Sequence, residues 1–224
     1  IWAENAFQLE INKELLSTGW QWVSASEVAK TERGCRHFVV ELLNTTCPIS
    51  VKVHTLLDGT PVLTRWLEIT NTSDKSVSLT AISPWSGRLW RPGQRVNGET
   101  YLKHQAFTLG YFTRSDIYME GWFDWKPLES GTTMHPGTTL IKCDKGQGYD
   151  DPFFIVRNEA KREYFIGHLA WSANWHMEFE CNRNEANTSA GLLFKIGPSA
   201  VSSLRVITPG ETIKTPVVHL GQVE

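Results

Sequence analysis

The feature that most constrains this chain is its succession of short runs in which apolar and polar residues alternate. The run at residues 76–82 has an apolar residue at every second position and serine or threonine between them. Alternation with a period of two is typical of a strand that buries one face. Turn chemistry separates the runs, most clearly at Asp58-Gly59, a pair that favours positive φ. The sequence therefore predicts an all-β fold that includes a meander of antiparallel strands.

Length and charge narrow the function classes. With 224 residues, we expect one domain spanning residues 1–224, built as two large packed antiparallel sheets. Lysine and arginine (22) nearly balance aspartate and glutamate (24), and no apolar run reaches membrane-spanning length, so neither nucleic acid nor a membrane is an expected partner. The four cysteines lack the C-x-x-C spacing and the seven histidines lack metal-ligand spacing, so free thiols and no cofactor are expected.

The stretch at residues 149–182 holds two apolar runs joined by a polar turn, which predicts two strands. It contains the sequence WSANW, in which Trp171 and Trp175 flank small polar residues, among them Asn174. Indoles beside hydrogen-bonding groups suit a sugar, which offers an apolar face and a fringe of hydroxyls. The alternative is that both indoles belong to the core.

Two further segments are rich in aromatic residues. Residues 84–101 read as a long irregular segment, and such segments are usually functional or form interfaces. Residues 120–125 place Trp122 and Trp125 among carboxylates. Both segments are therefore candidates for contact with a substrate or another domain.

Arg65 breaks the alternation of its predicted strand. It falls on the same face as Leu63 and Leu67, which are expected to point inward. An inward guanidinium must be paired or must reach solvent. A bulge or structural ion pair would explain it, and so would a positioning role at an interface.

The spacing of acidic residues and histidines along the sequence does not identify a set of catalytic residues. A retaining glycosidase needs two carboxyls about 5–5.5 Å apart, and no carboxylate here is singled out for that role. His168 and His176 flank the two tryptophans and could act as acid–base groups, although histidines that serve a strand's structure are the alternative. We therefore assign no catalytic residue to the chain.

Three segments resemble the N-terminal domain of family 36 glycoside hydrolases, the α-galactosidase and α-N-acetylgalactosaminidase group. Residues 58–71 are similar to the family's turn followed by P-V-L-x-R-x-x-x-I-x-N. Residues 151–154 with 169–175 resemble its N-P-F and W-S-G-N-W pair, with Asp151 and Ala173 as departures. Residues 208–216 resemble its L-x-P-G-E-x-F-x-T-P exit.

The resemblance implies a β-supersandwich of the galactose mutarotase-like kind that forms the N-terminal part of a longer chain. In the family a (β/α)₈ barrel follows and carries the catalytic aspartates, so that barrel is the implied partner. A galactose-containing carbohydrate and a second copy of the chain are further implied partners. The segments Trp85–Trp90 and Trp122–Trp125 are the natural contacts with the barrel.

Two other functions remain open at this level. A mutarotase-type enzyme would use a histidine and a carboxylate to open and close a sugar ring. A lectin-like module would use Trp122, Trp125, Trp171 or Trp175 as a stacking platform.

Overall fold

A computed structural model describes residues 5–28, 34–90, 106–113, 122–132, 134–144, 151–159, 161, 163–183 and 190–223. Within these ranges the chain forms strands and turns, and no described residue is helical. In chain order the strands are β1 Gln8–Ile11, β2 Glu14–Leu15, β3 Trp20–Val28, β4 Arg36–Asn44, β5 Ile49–Leu57, β6 Val62–Asn71, β7 Val77–Ser83, β8 Trp85–Trp90, β9 Phe107–Thr113, β10 Trp122–Pro127, β11 Gly131–Thr132, β12 Gly137–Cys143, β13 Phe153–Asn158, β14 Tyr164–Leu169, β15 Trp175–Arg183, β16 Ala190–Pro198, β17 Arg205–Ile207, β18 Thr212–Lys214 and β19 Val218–Val223.

One large sheet forms the first layer. It has ten strands in the order β10-β9-β13-β14-β19-β6-β5-β4-β3, and β18 adds to β6. The stretch β3 to β6 is a meander of consecutive antiparallel neighbours, as the alternation predicts. The strands β13 and β14 form the predicted pair joined by a polar turn.

Two smaller sheets form the second layer. One has the order β17-β7-β1-β2, and the other has the order β11-β15-β16-β8 with β12 beside β15. Nearly all of the pairings are antiparallel, and the short β11–β15 pair is parallel. The two small sheets meet where Gly197 of β16 approaches the backbone of Ile82 in β7.

Each small sheet faces its own half of the large sheet across a hydrophobic core. The larger core joins buried residues of β9, β13 and β14 to those of β8, β15 and β16. The smaller core joins buried residues of β5 and β6 to those of β1 and β7. The predicted all-β sandwich of packed antiparallel sheets is therefore confirmed, with its second layer divided in two.

Three elements differ from the sequence prediction. Strand β7 leaves the meander and pairs with β1 and β17 in the second layer. Strand β19 does not close the sheet at an edge, because it lies between β14 and β6. The start of the segment read as irregular, Trp85–Trp90, is strand β8, and both of its tryptophans are buried; residues 91–101 lie outside the described ranges.

Candidate functional site

The outer face of the large sheet, which points away from the second layer, carries a continuous row of side chains in which aromatic residues and histidines predominate. Burial alternates strictly along β13 and β14, so the residues between the buried ones point outward. Cross-strand register then aligns side chains from eight neighbouring strands. We call this set the outer row, and in order across the sheet it consists of Phe123, Phe112, Phe153, His168, His219, Thr64, Leu56 and His37.

The end of the outer row at β10 is an aromatic cluster, which we call the outer aromatic patch: Phe112, Phe123, Trp125 and Phe153. Phe123 makes edge-on contacts with Phe112 and Trp125, with ring centroids 5.3 and 5.5 Å apart. Phe112 lies 5.9 Å from Phe153. Trp125 remains 44 % exposed, so the patch is open at the edge of the sheet.

Gly110 explains how these rings lie so close to the sheet. A Cβ at Gly110 would come within 2.7 Å of the Phe123 ring and 3.1 Å of the Trp125 ring. Both rings therefore rest against the backbone of β9, and a larger residue would lift them. The guanidinium of Arg157 lies 5.3 Å from the Trp125 ring centroid and adds a cation–π contact.

Two histidines continue the row from the patch toward the middle of the sheet. The rings of His168 and His219 are nearly parallel, with centroids 6.1 Å apart. Nε2 of His168 lies 3.2 Å from a carboxylate oxygen of Asp151, and Nδ1 of His219 lies 3.0 Å from Oγ1 of Thr64. Burial lowers the pKa of His219, and the nearby His168 lowers this pKa further.

A second histidine pair lies on the same face at β4 and β5. Nε2 of His37 lies 3.0 Å from Nδ1 of His54, and Nε2 of His54 lies 3.4 Å from a carboxylate oxygen of Glu68. The His54 ring stacks on Trp66 at 4.8 Å, and the ammonium of Lys214 lies 4.6 Å from the centroid of the same indole. Burial lowers the pKa of His54, while Glu68 acts in the opposite direction.

Arg65 points inward, as the alternation predicts. Its guanidinium lies 4.1 Å from the Trp85 ring centroid, with weak contacts to Oγ1 of Thr55 at 3.4 Å and the Ala6 carbonyl at 3.5 Å. Burial lowers the pKa of Arg65 to about 10. Among the described residues, a cation–π contact inside the sandwich accounts for the break in the pattern, and the regular pairing of Arg65 with Thr55 shows no bulge there.

The WSANW segment forms the loop between β14 and β15. The exposed Trp171 donates from its indole nitrogen to the Asn174 carbonyl at 3.0 Å, and Nδ2 of Asn174 donates to the Asp144 carbonyl at 3.2 Å. Trp175 is 1 % exposed and belongs to the larger core. A ligand could therefore reach Trp171 at the surface, whereas the Trp175 ring is enclosed by protein.

The remaining predicted site residues do not converge on one place. Trp122 is 59 % exposed at the edge strand β10 and, by alternation, lies on the opposite face from Trp125. His176 belongs to β15 in the second layer, where Nε2 lies 3.2 Å from Oγ of Ser83. His168 and His176 are thus in different sheets and do not form one acid–base pair.

Two of the turn motifs in the sequence have structural roles. Oδ1 of Asp58 accepts from the amide and hydroxyl of Thr60, and Gly59 has a φ of 87°, which confirms the predicted turn. Glu211 accepts from the amide and hydroxyl of Thr208 and thereby closes the T-P-G-E turn. These turns fix the ends of strands rather than supply chemistry.

Sequence reasoning missed the outer row. The alternation of β13 and β14 already placed Phe153 and His168 on outward positions, but joining them to His219 or Phe112 requires the pairing register. The described residues contain no group of three or more side chains suited to a metal ion. The four cysteines are present as thiols and form no disulfide with one another. Over the same residues, no helix is long and apolar enough to cross a membrane.

Comparison with solved structures shows where this architecture occurs. The chain aligns over 97 % of its length with 30 % of the galactosidase domain of an α-galactosidase–sucrose kinase, at a TM-score of 0.72 and 16 % identity. It aligns over 98 % of its length with 29 % of the α-galactosidase from Lactobacillus brevis, at 0.70 and 14 % identity. It aligns over 98 % of its length with 30 % of a family 36 α-galactosidase from Geobacillus stearothermophilus, at a TM-score of 0.70 and 13 % sequence identity.

The chain has the fold of an α-galactosidase domain. The resemblance in sequence implies the same fold. The chain spans just under a third of the length of these solved structures. No family model matches the sequence, and no curated protein matches it either.

Proposed function

We propose that this chain is a non-catalytic N-terminal β-domain of an α-galactosidase-like glycoside hydrolase. In this proposal it packs against a (β/α)₈ barrel of the same parent chain, and the barrel carries the catalytic carboxylates. The observation that supports it is the coverage: the fold matches over nearly all of this chain, yet it accounts for only about 30 % of each solved α-galactosidase chain.

Two carboxylates that the sequence offers as candidates, Asp151 and Glu178, make contacts of a structural kind. Asp151 contacts His168 at 3.2 Å, and Glu178 forms an ion pair with Lys195 at 2.8 Å. Retaining glycosidases need two carboxyls about 5–5.5 Å apart that face the same glycosidic bond. The two residues lie in different layers, so they do not meet that requirement together.

The surface that would meet the barrel or a second copy includes the edge strand β10. Trp122 projects from that edge on the face opposite Trp125, and it is 59 % exposed. Large exposed aromatic side chains that flank a sheet edge are typical of contact surfaces. Shaping of the substrate site and assembly of oligomers are the two roles proposed for this surface.

The first test is to read the coding sequence on both sides of these 224 residues. The proposal expects a downstream region encoding a (β/α)₈ barrel. Co-expression of the two regions as separate chains should then give a complex that co-purifies, and cleavage of an aryl α-galactoside should require the barrel. A coding sequence that encodes no further domain would contradict the proposal.

A proton NMR time course with an aryl α-galactoside and fresh α-galactose tests the isolated chain. The proposal expects neither cleavage nor anomer exchange above a protein-free control. Anomer exchange would instead indicate a mutarotase, with the His168–Asp151 pair as the first group to mutate. Release of the aryl group would place the catalytic carboxylates in this chain.

A further inference from the structure

We propose that the outer aromatic patch, together with the adjoining His168, Asp151 and His219, is a binding surface for a neutral oligosaccharide. This surface lies on the outer face of the large sheet, and it includes neither the WSANW loop nor the core tryptophans. The proposal does not depend on whether the chain belongs to a glycosidase.

The chemistry of the surface fits a sugar because apolar and polar groups lie side by side along the row. Phe153 of the patch is the direct cross-strand neighbour of His168, and His168 is the direct neighbour of His219. A pyranose ring presents an apolar C–H face that can lie on an aromatic ring, and its hydroxyls require partners at the edge of that ring. The outer aromatic patch supplies the aromatic rings, and the histidines and Asp151 supply the partners for the hydroxyls.

The polar groups retain hydrogen-bonding capacity. His168 uses Nε2 toward Asp151, and His219 uses Nδ1 toward Thr64. Within the described part of the chain, the opposite ring nitrogens, Nδ1 of His168 and Nε2 of His219, make no hydrogen bond. Neutral imidazole can donate or accept through such an atom, which suits a hydroxyl that can also do both.

The aromatic rings are held in place before any ligand arrives. Phe123 lies between Phe112 and Trp125 in edge-on contacts, and Gly110 lets two of the rings rest on the strand backbone. The cation–π contact from Arg157 further orients the Trp125 indole. Binding to such a surface costs little side-chain entropy, which favours even a weakly attracting ligand such as a sugar.

The charge balance favours a neutral ligand over an anion. Charged groups of both signs border the surface: Arg157, which pairs with Glu159 at 2.9 Å, lies at the patch, and Asp151 and Asp58 lie beside the histidines. Phosphate or sulfate sites gather several cationic donors around one point. The arrangement here offers no such convergence among the described residues.

The length of the surface indicates an oligosaccharide rather than a single sugar. From Phe123 on β10 to His219 on β19 the row crosses four strand spacings, which amounts to about 19 Å. One pyranose ring would cover only a part of that distance. We therefore expect affinity to rise from galactose to raffinose to stachyose.

The test is a titration of the isotopically labelled chain with galactose, raffinose and stachyose, followed by amide and imidazole chemical shifts. We expect saturable shifts at β9, β10 and β13 and at His168. Trp125→Ala should weaken binding by about tenfold, as the loss of an anchoring aromatic does. The matched control is Trp22→Ala, since Trp22 is 65 % exposed on β3 at the far edge of the same sheet.

A second variant, His168→Ala, tests the polar side of the surface independently of the patch, and thermal unfolding confirms that each variant is folded. Absence of shifts at the highest sugar concentration would overturn the proposal, and so would binding that survives Trp125→Ala. Binding of inorganic phosphate but not sugar would identify an anion site instead. Self-association that shields Trp125 would show that the face is an interface between protein chains.

Discussion

The guanidinium of Arg65 lies 4.1 Å from the ring centroid of Trp85, so one strand of each layer contributes to a cation–π contact inside the sandwich. Arg65 belongs to the large sheet and Trp85 to β8 of the second layer. Burial removes water from the charged form and lowers the pKa of Arg65 to about 10. The indole face therefore replaces much of the water that the guanidinium has lost.

A double-mutant cycle measures this contact. We expect Arg65→Met and Trp85→Leu to be coupled by about 1–2 kcal/mol in the free energy of unfolding, because cation–π contacts strengthen when they are desolvated. Urea unfolding of the wild type, both single variants and the double variant provides the measurement. The exposed cation–π pair of Arg36 and Phe38 is the control and should show weaker coupling. Strictly additive effects at Arg65 and Trp85 would contradict this account.

Gly197 lies where the two sheets of the second layer meet. A Cβ there would lie 2.0 Å from the Ile82 carbonyl oxygen, and backbone cannot move aside as a side chain can. We expect Gly197→Ala to destabilise the fold by about 3 kcal/mol or more. Gly221→Ala is the control, because its nearest contact would be 3.3 Å and a small shift could accommodate it. Equal losses in the two variants, measured by thermal unfolding, would rule out the close approach as the cause.

The buried His54 makes stability depend on pH. Its pKa is lowered from 6.5 in the folded chain, chiefly by burial, so below pH 6.5 the unfolded chain takes up a proton that the folded chain resists. The stabilisation is therefore present above pH 6.5 and is lost as the pH falls toward the lowered value, by up to about 1.4 kcal/mol per pH unit for one group. Burial also lowers the pKa of His176 and of His219, so both histidines make the folded chain less stable as the pH falls.

Chemical unfolding between pH 7.5 and pH 5 checks this expectation. His54→Gln should reduce the slope of unfolding free energy against pH. The control is His135→Gln, because His135 is exposed in a turn and should leave the slope unchanged. A slope that is the same in wild type and His54→Gln would show that His54 is not the responsible group.

Residues Asn71-Thr72-Ser73 match the N-x-S/T pattern of a glycosylation site, but in this fold the triplet forms a turn. The Asn71 side chain is fully buried, and its Nδ2 donates to the carbonyls of Lys75 and Ile207 at 2.7 and 3.0 Å. Its Oδ1 accepts from the amide and hydroxyl of Ser73. Asn44 has the same arrangement with Thr46, so both triplets are turn motifs in which the asparagine is enclosed.

We expect Asn71→Ala to cost about 2–4 kcal/mol of unfolding free energy, because it leaves several buried polar groups without partners. Ser73→Ala is the milder control, because it removes the hydroxyl that donates to Oδ1 of Asn71 and should lower the free energy of unfolding by less. Mass spectrometry of the chain expressed through a eukaryotic secretory pathway should find Asn71 unmodified. A glycan on Asn71 in folded protein would contradict the enclosed position.

The sequence predicts the strands well where one face is buried, and it predicts their partners poorly. The alternation of β7 identifies it as a strand, yet it carries no information on which sheet receives that strand. The placement of β19 between β14 and β6 is a pairing over long sequence separation, which local pattern does not determine. At β8 the sequence predicts an irregular segment because Gly87 and the neighbouring arginines are typical of loops, whereas Trp85 and Trp90 are core residues of a strand.

The same limit applies to the candidate site. The sequence draws attention to Trp122 and Trp125 because tryptophan is rare, and the alternation along β6 predicts that Arg65 points inward. His168 and His219 are neighbours only because β14 and β19 pair in one register, and a shift of one residue would place them on opposite faces.

The place of β19 also bears on how the chain acquires its structure during synthesis. The strand joins the half of the large sheet that contains β14 to the half that contains β6, and β6 is its direct partner. While the ribosome is still making residues before Val218, those two halves have no strand to bridge them, and two unsatisfied edges remain exposed. The two halves of the large sheet can therefore join through hydrogen bonds only after Val218–Val223 has been made.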